Sequence, residues 1–136
     1  MARVRSGGRL WLLALAAVAI EVCLFLLTTR RFVVEGRSML PALEAGDRVV
    51  VSIYGFRWRR PRVGEIVVVR RRGSSRHDVK RIAAGPDQAV DLQGRSLILS
   101  PGQWFLLGDN ASQSTDSRQL GPVEERELVG PVWFKY

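Results

Sequence analysis

The sequence is short of the residues on which much enzyme chemistry depends. It has one cysteine and one histidine. A lone cysteine, Cys23, excludes an internal disulfide framework. One histidine and one cysteine cannot build a zinc site without several carboxylates, so no metal or cofactor is implied. Acidic residues are outnumbered: 13 Asp and Glu stand against 21 Lys and Arg, a formal net charge of +8. The 136 residues hold no internal repeat and no low-complexity tail, and give room for one domain plus one accessory segment.

That segment is the run LWLLALAAVAIEVCLFLL, Leu10 to Leu27, whose only charged residue is Glu21. As a helix it would be roughly 27 Å long, enough to cross a hydrocarbon core. Ala17-Val18-Ala19 offers an A-x-A site of the kind cut in secretory leaders. Cleavage there would leave the strongly apolar IEVCLFLL on the new amino terminus, so an uncleaved anchor is the better reading. The chain divides into a short basic tail (1–9), a transmembrane anchor (10–29) and one domain (30–136). Arg3, Arg5 and Arg9 precede the anchor while Arg30 and Arg31 follow it, which favours an inside amino terminus by a narrow margin. Ionised Glu21 would be costly near the bilayer centre. It reads as protonated, or as a contact with another membrane protein. Cys23 lacks the small preceding residues of a lipidation site and reads as packing.

Basic charge is densest in FRWRRPR, where Arg57, Arg59, Arg60 and Arg62 interleave with Phe56 and Trp58. Basic plus aromatic can mean single-stranded nucleic acid. On an anchored chain it more simply means anionic lipid, with Phe56 and Trp58 in the interface. A plain solvated loop is the other reading.

Past Arg31 the helical period gives way to short β-branched runs bounded by Gly, Pro and Asp. RFVVE, DRVVVSIY, EIVVVRR, VKRIAA, AVDL, SLILS, WFLLG and LVGPVWF predict an all-β domain, a sandwich or partly open barrel. LQGRS reads as a tight hairpin, RRGSSRHD and GPDQ as turns. Short helical turns are expected in PALEAG and VEERELV.

The stretch FVVEGRSMLPALEAGD places Ser38 just after the anchor. A serine hydroxyl is a poor nucleophile until a base takes its proton. Side chains alternate faces along HDVKRI, so Lys80 shares a face with Asp78 and Ile82, and His77 with Val79 and Arg81. His77 sits beside a Gly-Ser-Ser turn, where an exposed histidine is unremarkable. A lysine acts as base only if burial lowers its pKa, and Val79, Ile82 and Ala83 supply apolar neighbours. Alone, that stretch is more simply an exposed strand lysine.

Four segments occur in order after the anchor: G-x-S-M-x-P (Gly36 to Pro41), GDRVVV (Gly46 to Val51), VKRI (Val79 to Ile82) and GDNASQSTDSRQLGPV (Gly108 to Val123). In this order they resemble the type I signal peptidases, including the mitochondrial inner-membrane relatives, from the anchor nearly to the chain's end. The resemblance implies Ser38 as nucleophile, Lys80 as general base and Ser114 set against the lysine amine. Asp116–Arg118 and Arg81–Asp109 would be structural ion pairs, with Met39 and Pro41 shaping the nucleophile loop. It also implies a membrane-bound serine endopeptidase that removes leader peptides from exported precursors after small residues at −1 and −3. The domain would lie on the extracytoplasmic side of a plasma membrane of bacterial type.

Two departures stand out. Many enterobacterial-type members carry a hydroxyl residue two before the nucleophile, where this chain has Gly36. The oxyanion would then rest on the Ser38 N–H. Only 27 residues lie between Lys80 and Gly108, too few for the large inserted β region of longer members. The repressor autoproteases share the S-M and V-K-R pattern but carry a DNA-binding segment in place of an anchor. A non-catalytic subunit that binds leader peptides is the rival outside the enzymes.

Overall fold

The structure is a computed structural model that describes residues 7–136. Residues 1–6 of the expected basic tail lie outside the described residues. Helix α1 spans Gly7–Thr28, and its stretch Arg9–Thr28 is long and apolar enough to cross a membrane, with none of it buried in the domain. Two threonines close it: the Thr28 hydroxyl donates to Leu24 O (2.7 Å) and the Thr29 hydroxyl to Phe25 O (2.8 Å). These bonds satisfy carbonyls that the last turn leaves without partners. Strand β1 (Thr29–Val33) begins at the next residue, with no linker. The Ile53 N–H donates to Thr28 O at 2.9 Å, and Phe25 lies 5.8 Å from Trp133, ring to ring, so the sheet sits directly on the end of α1.

The remaining elements are β2 (Arg48–Ser52), α2 (Gly55–Trp58), β3 (Ile66–Val69), β4 (Asp78–Ala84), β5 (Ala89–Leu92), β6 (Arg95–Ile98), β7 (Gln103–Leu107), α3 (Ser117–Leu120), β8 (Val123–Glu124) and β9 (Leu128–Lys135). Seven strands form one sheet in the order β1-β2-β9-β3-β4-β7-β8, every neighbouring pair antiparallel, and β5–β6 is a separate hairpin. The sheet does not close into a barrel. Register shifts at Val50/Val51, Val68/Val69 and Ile82/Ala84 mark bulges. Bulges bend and twist a sheet, and here the bending is enough to bring Phe32 of β1 within 5.2 Å of His77 at the head of β4, ring to ring.

Two apolar clusters cover the two faces. Met39, Leu43, Val49, Val51 and Val68 form one; Val67, Val69, Ile82, Trp104 and Leu106 belong to the other. Strand β3 contributes to both by alternation, Val68 one way and Val67 and Val69 the other. That is why it reads as an unbroken VVV run. At the β5–β6 turn Gln93 and Gly94 both adopt positive φ (56° and 79°), as a two-residue hairpin turn requires.

Some local expectations fail. PALEAG forms turns without a helix, with one Leu43 N–H to Met39 O bond of 2.9 Å. VEERELV does hold the expected helical turn, a 3-10 turn at Glu125–Glu127 between β8 and β9. FRWRRPR opens with the single turn of α2, which turns Phe56 onto the core while Trp58 stays 88% exposed. Of that pair, Trp58 alone is well exposed.

Candidate active site

Ser38 lies in the connection between β1 and β2, half-buried. The connection is pinned at its base by Val34 N–H to Asp47 O (2.8 Å) and Gly46 N–H to Val34 O (2.9 Å). Met39 and Leu43 are buried at 1% and 4% exposure, so the loop is nailed to the core by the residue following the serine. Pro41 is exposed on the same turn, and Gly36 holds φ +77°. Ser38 also lines a cavity of about 40 Å³ together with Val34, Met39, His77 and Val79.

Lys80 is in the middle of β4, paired with Val67 of β3. Alternation puts Lys80, Ile82 and Ala84 on the buried face, and Lys80 is only 7% exposed. Burial pushes its pKa down, partly offset by Asp78 and Asp116. Its Nζ donates to Ser114 Oγ at 3.1 Å. Ser114 Oγ donates onward to Asp116 Oδ2 at 2.7 Å.

Asp116 is the N-cap of α3 and fully enclosed. It accepts from Gly108 N (2.9 Å), from Arg118 N (3.1 Å) and from the Arg118 guanidinium at 2.9 and 2.6 Å. Burial by itself would raise its pKa; the bonds from Arg118, Gly108 and Ser114 outweigh that and hold the carboxyl well below the usual carboxylate range. An ionised Asp116 therefore fixes the Ser114 hydroxyl as a donor to itself, which leaves the hydroxyl's lone pairs facing the lysine.

The serine loop and the lysine cluster meet at Gly108. A Cβ built there would lie 2.6 Å from Ser38 O and would overlap the Ser114 side chain. Only a residue without a side chain allows both loops so close. Asn110, two residues on, donates its N–H to Ser38 O (2.8 Å) and its side-chain amide to Arg37 O (3.1 Å). Asp109 forms a two-pronged ion pair with Arg81, at 2.8 and 2.7 Å, which ties this loop to β4. Asn110 went unassigned in the sequence although it stands within GDN; nothing local shows that its amide clamps a loop more than 70 residues away.

Other candidates lie outside this constellation. His77 is exposed, packs on Phe32, and walls the cavity beside Ser38 from the opposite side of β4 to Lys80. Glu21 is exposed on α1 and, among the described residues, has no hydrogen-bond or ion-pair partner. Phe56 and Trp58 stand with α2, away from Ser38.

A profile of the family described as signal peptidase, peptidase S26, matches residues 8–101 and 93–136. A probable signal peptidase I-1 from Synechocystis sp. is 32% identical over 90% of this chain and 79% of its own length. Thylakoidal processing peptidase 1 of Arabidopsis thaliana is 29% identical over 76% of this chain and 40% of its own length. Signal peptidase IB of Staphylococcus aureus is 23% identical over 93% and 87%. The chain is an enzyme of the serine peptidase class of hydrolases. It belongs to the signal peptidase family, S26.

Proposed function

We propose that the chain is a membrane-bound endopeptidase that cuts signal peptides from exported precursors, with Ser38 as nucleophile and Lys80 as general base. The observation that carries the reading is the bond from buried Lys80 to Ser114, backed by Asp116, next to the loop that Gly108 and Asn110 hold at Ser38. The neutral Lys80 amine takes the Ser38 proton as Oγ adds to the scissile carbonyl carbon. The resulting ammonium protonates the leaving amine, and the peptide bond breaks to leave an ester on Ser38. Water, deprotonated by Lys80, hydrolyses that ester and frees the leader's carboxylate.

Among the described residues the Ser38 N–H donates to no backbone acceptor, which leaves it free for the oxyanion. The cavity of about 40 Å³ beside Ser38 suits a small side chain, in keeping with cleavage after small residues at −1 and −3. The absence of a linker between α1 and β1 favours a scissile bond close to the bilayer, and the exposure of Trp58 suits the lipid surface; the domain is assigned to the extracytoplasmic side because exported precursors emerge there. Glu21, exposed along α1, is the candidate contact for another membrane protein.

The test is incubation of the full chain in detergent with a precursor, followed by sequencing of the new amino terminus. Wild type yields one new terminus after a small residue and Ser38→Ala yields none. An unprocessed precursor in both samples defeats the proposal.

A further inference from the structure

We propose that an arginine-lined groove at the anchor end of the β3–β9 pair holds the headgroups of anionic phospholipids. Its first part, about 340 Å³, is bounded by Ile53, Arg57, Arg126 and Val129. Its second part, about 460 Å³ and open to solvent, is bounded by Arg70, Arg72 and Ser74 and shares Arg126 and Val129 with the first. The two are therefore one continuous surface.

One end of the groove lies beside the end of the anchor. Ile53 N–H donates to Thr28 O, the last residue of α1, so the groove begins where the anchor ends. Trp58, one residue beyond Arg57, is 88% exposed, and indole rings favour the headgroup region.

Charge is available there. Arg57, Arg70 and Arg72 are exposed and form no ion pair among the described residues. The acidic side chains that also line the groove, Glu125 and Glu127, are held by bonds that leave these three arginines unpaired. Glu127 accepts from Arg72 N (2.6 Å) and from Glu124 N (2.7 Å), Glu124 pairs with Arg126 (2.7 Å), and Glu125 accepts from Trp104 (3.4 Å). Arg71, between the two exposed arginines, points inward to Ser117 and Gly121 O, so it is structural. A row of guanidinium groups suits phosphate, which arginine meets with two parallel bonds.

The inference rests on α1 being the anchor and is independent of the Ser38/Lys80 assignment. The experiment uses the full chain in nanodiscs of phosphatidylcholine, with or without phosphatidylglycerol, read by amide hydrogen exchange. Phosphatidylglycerol should slow exchange at residues 70–74 and 125–128, with each arginine worth roughly fivefold in binding. Molar salt should remove the effect, since screening then acts over about 3 Å. Arg70→Gln with Arg72→Gln should remove it too, while leaving exchange in β2 and β4 unchanged. Equal exchange in both lipids overturns the proposal, as does protection that survives the double substitution. Equal protection by inorganic phosphate in phosphatidylcholine nanodiscs makes this a free-anion site and also overturns it. A chain that does not co-elute with nanodiscs removes the anchor and the inference together; peptide cleavage by the same samples reports separately on the dyad.

Discussion

The Lys80 Nζ lies 3.1 Å from Ser114 Oγ, and that hydroxyl is already committed as a donor to Asp116. The amine is thus held by an acceptor that adds no charge of its own, while burial lowers its pKa. A lysine at its ordinary pKa of about 10.4 is roughly 0.04% neutral at pH 7, and each unit of lowering raises that fraction about tenfold. Cleavage of a soluble peptide should therefore rise with pH through the lowered lysine pKa and plateau below the ordinary lysine range. Lys80→Met should abolish cleavage with the fold intact, and His77→Ala should stay within about threefold of wild type, a small fraction of what a general base supplies. Ser114→Ala should cost about tenfold in kcat, the equivalent of one hydrogen bond. Near-normal cleavage by Lys80→Met together with a dead His77→Ala would refute the dyad.

Asp116 and Lys80 both make stability rise with pH, each in its own window. The Asp116 carboxyl is held well below the usual range, so its contribution is present above about pH 4 and is lost as acid protonates it in the folded state. For Lys80 the folded state binds fewer protons than the unfolded one between the lowered pKa and the ordinary value, so stability rises with pH across that window. Asp116→Asn should lower stability by about 2 kcal/mol at neutral pH, less than for a fully buried pair because Arg118 is one-third exposed. Urea unfolding from pH 3 to 9 measures both effects. An acid limb of the same slope in Asp116→Asn would assign acid sensitivity to another group.

Gly108 is where the serine loop and the lysine cluster share space. A Cβ there lies 2.6 Å from the Ser38 carbonyl, a backbone atom that cannot simply rotate away. Gly108→Ala should push the loops apart, with a cost of about 1–3 kcal/mol in stability. Because displacement by about 1 Å can cost 10²-fold in rate, kcat should fall far more than the loss of folded protein explains. Steady-state kinetics beside thermal unfolding separates the two. A variant with normal kcat and only a lowered Tm would mean that the two loops can part without consequence.

The strands were legible because alternation and β-branched runs report burial directly: VVV at Val67–Val69 is unbroken since both faces of β3 are covered. The segments bearing Ser38, Lys80 and Ser114 were legible as motifs, and their approach through Gly108 and Asn110 was not. That approach depends on bulges and on contacts between residues far apart in the chain. Helix α2 and strand β8 are too short, at 4 and 2 residues, to show any period. Phe56 looks interfacial beside four arginines, yet one helical turn is enough to swing it onto the core. Tertiary packing, not local composition, decides the fate of such a side chain.

Gly36 stands two residues before Ser38, and its φ of +77° bears on whether a hydroxyl placed there could serve the oxyanion. A Cβ at Gly36 meets no atom within 4 Å, so space does not forbid a serine. The backbone does, since a left-handed conformation costs an ordinary residue roughly 1–2 kcal/mol. Gly36→Ser and Gly36→Ala should therefore be destabilised alike, by about 1 kcal/mol. Neither should exceed the wild-type kcat, because the strained loop carries the Ser38 N–H proposed to hold the oxyanion. If Gly36→Ser instead raised kcat by about the 10²-fold that one oxyanion donor is worth while Gly36→Ala did not, the added hydroxyl would be reaching the oxyanion. A hole built from backbone N–H groups alone would then be the wrong description of this site.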